Sequence, residues 1–546
     1  MHKTVDKVIK SSCIFTANTL EPIEGAVLVS GNEIVDVVPL SEADGHIGPD
    51  TAVYDCGDKT VVPGFNDAHT HFIQNGVMKD ADYTLSLEGA STKEEVCSRI
   101  REFAEAHPNN AWIAGCDLNF SEWEGGEEPT KELLDELVPD RPAYFASWDM
   151  HVGWVNSKAL EAAGYAPDKP DPEGGIIGRN EDGSLKGLNY EPPANDPVWG
   201  MANLAADMDH ALGSVIGECL SYGVTATGCV WPYGGIPEDD TIRVFSEFER
   251  DGKLPIRVSC FVKLEDGLAN ARRYARELVG EHLRFAGTKM ITDGVCEAHT
   301  GFLTEPYADD PTTCGEPTMG YDELLPLVRQ ADAAGYSVRL HAIGNGAVKQ
   351  ALDVFEKVGQ EQGFKGHRNA IEHIETCRPE DIDRFARLGV VASMQPIHSV
   401  LNVEGYPVLL GEKWVPYMWP VKSLIDAGAI VAAGTDAPVW NLNPMEGVYA
   451  AITRQQPWDG KPEGGFVPSQ RITLAQALQA YTYGSAVVEN FDDRIGTLAP
   501  GKLADVVVMD RNLFKSTPDE ILGAKPVYTF IDGEVVFEAP GPDRAE

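Results

Sequence analysis

The stretch TVVPGFNDAHTHF, residues 60–72, decides the fold. A short β-branched run meets a Pro-Gly pair, and two histidines stand two residues apart just beyond it. The run TVVPGF (60–65) reads as a buried strand, with His69 and His71 past its C-terminal end. On an extended chain, residues i and i+2 point to the same side. Seven similar runs follow: VTATGC (224–229), IRVSCF (256–261), AGTKMIT (286–292), SVRLHA (337–342), AIEHI (370–374), VVASMQP (390–396) and IVAAGT (430–435). Amphipathic patterns such as YDELLPLVRQADAAG (321–335) and RPEDIDRFARLG (378–389) separate several of them and read as helices. Eight strand–helix units imply an α/β fold, a parallel (β/α)8 barrel of the TIM type.

Outside this alternation the pattern changes. VLVSGNEIVDVV near the start holds two strand-like runs around Gly31-Asn32, and VYTFIDGEVVFE (527–538) near the end turns at Asp532-Gly533. Neither end is long enough to bury a core alone. Residues 1–62 and 485–546 are therefore expected to form one composite β-sandwich domain, and 63–484 the barrel. About 160 residues separate the first two barrel strands, too many for a structureless loop. An inserted subdomain is expected over roughly 75–200. It would leave the C-terminal end of the first strand, the catalytic face of such a barrel, and cap the site.

Composition narrows the function. Of 546 residues, 43% are hydrophobic and 24% charged, as in an ordinary globular protein. The 44 Lys+Arg against 85 Asp+Glu leave a net charge of −41, which argues against nucleic acid or an anionic membrane as partner. No run of about 18 apolar residues predicts a membrane span, and no signal peptide is expected at the start. Ten scattered cysteines without a CxxC read as reduced thiols in a cytoplasmic protein.

The chemistry gathers at strand ends. Two imidazoles, His69 and His71, can hold one divalent metal. His341 in SVRLHA and His373 in AIEHI supply two more nitrogen donors from the fifth and sixth strands. Asp436 follows the eighth strand, and a carboxylate leaving so apolar a run needs a metal or a proton to carry; a helix-capping aspartate is the alternative. Lys289 sits in an otherwise neutral run. Inside a barrel it must meet an anion or lose its proton. A neutral lysine amine adds carbon dioxide to give a carbamate, an anionic oxygen ligand that can bridge two ions. An ordinary ion pair, with Asp293 for example, or an outward side chain is the alternative.

The set VVPGFNDAHTHF, TKMITDG, HAIGN, IEHIE, SMQPIH and GTDAP resembles the amidohydrolase superfamily, and within it the YtcJ-like branch that includes N-substituted formamide deformylase. The likeness extends through PTKELLDELVPDRP (129–142) and the tail NFDDRIGTLAPGKLADVVVMD (490–510). It implies a metal-dependent hydrolase in which His69, His71 and Asp436 hold one metal, His341 and His373 a second, and a carboxylated Lys289 bridges them. Two departures stand out. Asn345 replaces an aspartate common in the HAIGD motif, and His299 lies in AHTG where Arg-Thr-Ala is common, which suggests a different substrate.

A divalent ion makes hydroxide available near neutral pH and polarises a carbonyl. Asp436 would take the water proton and pass it to the leaving amine. The expected activity is hydrolysis of a C–N amide-type bond, an N-formyl or N-acyl amine, outside peptides. Zinc is the default from the imidazole and carboxylate donors, with one or two ions. A deaminase on the same barrel is the alternative, although such enzymes place a Glu three residues after the fifth-strand histidine, where this chain has Gly344. A non-catalytic barrel serving as a binding or scaffold protein is a further alternative. A serine or cysteine nucleophile finds no GxSxG elbow. For the small-molecule substrate, WDMHVGW (148–154) offers Asp149, His151 and Trp154 as a wall of the cap, or else as its core. His299, Gln395 and His398 would complete the substrate contacts. Edge strands of the small β domain are open to a second copy, as in a homodimer.

Overall fold

Eight parallel strands form the central sheet: β1 (Phe65–Thr70), β2 (Val224–Val230), β3 (Arg257–Lys263), β4 (Leu283–Ile291), β5 (Val338–Ala342), β6 (Ala370–His373), β7 (Val391–Met394) and β8 (Val431–Ala433). Each pairs with its neighbours in chain order, from β1 to β8. A parallel bridge between Thr70 and Ala437 joins the two ends of the sheet. Helices Tyr321–Ala334, Asn345–Gln362, Pro379–Leu388 and Val421–Asp426 connect the strands from β4 to β8. This is the expected (β/α)8 barrel. The structure is a computed structural model, and it describes residues 4–120, 123, 127–147, 150, 152–172, 175–232 and 234–540.

The first strand departs from the sequence reading. Thr60–Pro63 belongs to another sheet, and the barrel strand is the next segment, FNDAHT. Pro63 and Gly64 mark the crossing, and a Cβ on Gly64 would lie 2.1 Å from the Thr225 hydroxyl, so only glycine passes there. FNDAHT is fully buried despite four polar side chains, and there Asp67 meets the Thr435 amide, His69 meets Glu372 and Thr70 meets the Thr227 hydroxyl.

The chain divides into two units, Met1–Thr70 with Glu218–Trp231 and Leu254–Glu546, and His71–Gly217 with Pro232–Lys253. In the first, an eight-stranded sheet joins both termini. Its order is Glu534–Glu538, Pro526–Ile531, Val506–Met509, Thr60–Pro63, Lys7–Ile14, Ile23–Ser30 and Glu33–Pro39, with Ala52–Asp55 also paired to Lys7–Ile14. Both expected hairpins are present, closing on the pairs Ser30–Glu33 and Ile531–Glu534. Ile9, Val27, Val61, Val506 and Phe530 form the core of this sheet.

The second unit has its own six-stranded sheet, in the order Ile176–Arg179, Leu185–Tyr190, Val152–Val155, Ala143–Ser147, Ile113–Leu118 and Thr84–Ser86. Val96, Ile100, Leu134, Phe145, Trp154 and Leu188 build its core. Thr92 and Thr130 cap the helices that follow them by accepting the Glu95 and Leu133 amides. Among the described residues, no helix is long and apolar enough to cross a membrane.

Candidate metal centre

Five of the six expected ligands stand in the first unit, at the C-terminal ends of its barrel strands. His69 is the penultimate residue of β1, Lys289 lies near the end of β4, His341 on β5, and His373 closes β6. Asp436 follows β8 by three residues. The His69 ring centroid lies 5.0 Å from that of His373, and the His373 centroid 4.4 Å from that of His341. His69 Nε2 is 3.4 Å from Asp436 Oδ1. Donors of one tetrahedral ion, with bonds of about 2.0–2.1 Å, lie about 3.4 Å apart. The barrel seam holds this geometry, because the Asp436 amide donates to the His69 carbonyl at 2.8 Å.

Hydrogen bonds orient the rings. His69 Nδ1 is 2.6 Å from Glu372 Oε2, which leaves Nε2 on the Asp436 side. His373 Nδ1 meets Gln395 Oε1 at 2.8 Å. Imidazoles that hold metals are commonly fixed through the other ring nitrogen in this way. In His341 it is Nε2 that faces the Gly294 carbonyl, at 3.5 Å, so Nδ1 is its available donor. His373, Ile374 and Asp436 adopt left-handed backbone, at φ 72°, 51° and 60°. Such conformations cost a residue other than glycine about 1–2 kcal/mol, and they concentrate at functional sites.

Burial sets the charge states. It lowers His69 to about 4 and His341 to about 3, with the neighbouring Lys289 adding to the effect. His373 is lowered well below its ordinary value by burial and then by His341. The imidazoles are therefore neutral at pH 7, the form that offers a lone pair to a metal. Lys289 is 2% exposed, and burial brings it down to about 8 against the raising influence of Glu372 and Asp436. A substantial neutral fraction at pH 7–8 is what carbamate formation requires. The donor set, its spacing and its protonation fit a divalent ion.

The remaining expected residues fall in different places. Asp293 is not the ion-pair partner of Lys289. Its carboxylate accepts the backbone amides of Phe302, Ile343 and Gly344 at 2.8–3.0 Å, and burial raises it to about 7. Gln395 orients His373 through Oε1, so that oxygen is engaged by a ligand rather than by substrate. His398 is buried, its ring parallel to that of His373 at 6.4 Å. His299 is half-buried and pairs with Asp309 at 3.0 Å. Asn345 receives the Thr304 amide at 2.9 Å and so anchors the loop after β4.

His71 opens the helix Phe72–Lys79 of the second unit, and its Nδ1 meets the Pro232 carbonyl at 2.7 Å. Trp154 corrects the expectation of a substrate wall. It is wholly buried in the core of the second unit, edge-on to Trp123, with its indole N–H donated to the Thr130 carbonyl at 2.9 Å. Trp148, Asp149 and His151 lie outside the described residues.

The amidohydrolase family model matches residues 52–537, nearly the whole chain. The chain belongs to the amidohydrolase family. Similar proteins include LONG AFTER FAR-RED 3 of Arabidopsis thaliana, 29% identical over 97% of this chain and 91% of that one. The putative amidohydrolase YtcJ of Bacillus subtilis is 28% identical, covering 90% and 91%. N-substituted formamide deformylase of Arthrobacter pascens is 26% identical, covering 98% and 99%. Among solved structures, an uncharacterized metal-dependent hydrolase from Pyrococcus horikoshii OT3 superposes with a TM-score of 0.76 at 26% identity, over 94% of this chain and 98% of that one. These likenesses place this amidohydrolase in the YtcJ-like branch and make it a metal-dependent hydrolase.

Sequence reasoning missed three buried members of this amidohydrolase site. Glu372 holds His69, Arg339 holds Glu372, and Asp67 ties β1 to the Thr435 amide at 2.9 Å. All three stand within two residues of a predicted ligand: Asp67 before His69, Arg339 before His341 and Glu372 before His373. A charged side chain inside a buried barrel strand was the available signal for each one taken singly.

Proposed function

We propose that this amidohydrolase cleaves a C–N amide-type bond, releasing a carboxylate and an amine, with Asp436 as the proton carrier. The observation that carries the reading is the convergence of His69, Lys289, His341, His373 and Asp436 at one end of the barrel, with Lys289 wholly buried beside acidic neighbours. His71 joins the ligand set by its place in the HxH motif. The bound metal, zinc by preference of this donor set, would polarise the substrate carbonyl and lower the pKa of water. A carbamate on Lys289 would make the centre binuclear.

The protein's own groups supply the rest. Asp436 takes the proton of the attacking water and delivers it to the nitrogen of the departing amine, which is too basic to leave as an anion. Glu372 and Gln395 keep His69 and His373 in place during this exchange. An N-formyl or N-acyl amine is the substrate class we favour, supported by the full-length similarity to N-substituted formamide deformylase.

Deamination fits less well. The position three residues after His341 is Gly344, and a Cβ there would meet the Phe302 carbonyl oxygen at 2.1 Å. No acidic side chain can enter from that position to protonate a ring nitrogen. The test is a panel of N-formyl and N-acyl amines and aminated heterocycles, assayed with zinc and bicarbonate. Amine release from the amides supports the reading, whereas ammonia from heterocycles alone would replace it with deamination. A resonance from 13C-labelled bicarbonate, lost in Lys289→Ala, would report the carbamate.

A further inference from the structure

Arg339 lies on β5, two residues before His341, with no exposure to solvent. Its side chain crosses the barrel interior. Nε pairs with Glu372 Oε1 on β6. Nη2 donates to the Ala68 carbonyl of β1 at 2.8 Å and to Ser393 Oγ of β7 at 3.0 Å. The guanidinium also lies over the Phe261 ring of β3, 4.4 Å from its centroid. Glu372, equally buried, turns its other oxygen to His69 Nδ1 at 2.6 Å.

An ion pair this deep contributes little net stability, because the loss of hydration offsets the attraction, and apolar side chains of similar volume often serve as well. Its geometry points to another use. With Oε1 engaged by the guanidinium, Glu372 can offer His69 only Oε2. The His69 ring must then donate from Nδ1 and keep its lone pair on Nε2, the atom 3.4 Å from Asp436. The bond to the Ala68 carbonyl fixes the backbone just before His69, so one guanidinium sets both the position and the tautomer of that ring.

We propose that Arg339 is a positioning residue of the metal centre, acting through Glu372 to hold His69 in its metal-binding orientation. The inference rests on the reading of His69 as a ligand. The test compares the full-length wild type with Glu372→Gln, Arg339→Met, Arg339→Lys and the Met/Gln double variant. Zinc affinity is measured by competition with a chromophoric chelator, and the thermal midpoint of each metal-free protein is measured beside it.

Loss of an outer partner of a metal ligand weakens binding by about 10–100-fold. That loss is expected for Glu372→Gln and Arg339→Met, with the double variant no weaker than Glu372→Gln alone. Arg339→Lys, which keeps the charge but not the fork, should fall between. The affinities should not track the metal-free midpoints. Wild-type affinity in Arg339→Met and Glu372→Gln, or additive losses in the double variant, would overturn the proposal. Should Arg339→Met not fold, the near-isosteric Glu372→Gln and Arg339→Lys still decide it. A wild type that binds no zinc would instead remove the metal-centre reading on which the proposal stands.

Discussion

Asp436 carries the most chemical weight of any single side chain. It closes the barrel seam through its amide, faces His69 Nε2, and sits in strained left-handed backbone at φ 60°. Asp436→Asn keeps an oxygen donor but cannot accept a proton. We expect kcat for an N-acyl amine to fall by about 10²–10⁴, the range for loss of general acid–base catalysis, with folding intact by circular dichroism. A variant within threefold of wild type would move the proton transfer elsewhere. Lys289→Ala should leave at most one ion per chain by elemental analysis, since the bridging anion is gone; two ions would show that no carbamate is needed. The histidines and Asp436 stood out in the sequence because each ends or follows an apolar run, where a barrel places its reactive groups, and Lys289 because it is a lone charge inside a neutral run. Arg339 and Glu372 did not. They meet across strands 33 residues apart, and no linear spacing announces a buried pair.

At the scale of elements, legibility followed polarity. Seven of the eight barrel strands overlap the apolar runs that predicted them. The first shares only Phe65 with its run, because the strand FNDAHT carries Asp67 and His69 among its buried residues, so chemistry displaced the hydrophobic pattern. The neighbouring apolar run TVVP was free to join the terminal sheet, where Val61 and Val62 pair with Val508 and Val507. Loops show a comparable constraint. Gly344 caps the helix Asn345–Gln362 and lies against the Phe302 carbonyl, while its amide donates to Asp293. Gly344→Ala should destabilise the fold by about 1–3 kcal/mol through overpacking against backbone. Thermal unfolding checks this, and an unchanged midpoint would mean that the loop after β4 yields freely.

At the scale of the molecule, a partly buried charge network joins the barrel to the terminal sheet within the first unit. Arg257 on β3 holds Asp505 at 2.7 Å and Asp532 at 2.7 Å, and His282 Nε2 meets Asp532 at 2.9 Å. Its partners His282 and Arg257 draw Asp532 down to about 2 despite burial, and the bond to Asp532 raises His282 above its ordinary 6.5. A lowered carboxyl stabilises the fold above its unfolded value, about 3.9, and that stability is lost as pH falls through about 2. A raised imidazole stabilises below 6.5, and that stability is lost as pH rises through its folded value. Both contributions are complete between about pH 5 and 6. The wild-type thermal midpoint should therefore decline from pH 6 to pH 8.5 more steeply than that of Asp532→Asn, and parallel declines would remove this network from the account. The most direct test of the central claim is metal content per chain, by elemental mass spectrometry on protein purified without chelator and then incubated with zinc and bicarbonate. One to two ions per chain, lost on mutating His69 and His341 together, is the predicted result. No stoichiometric metal in the folded wild type would contradict the hydrolase mechanism outright.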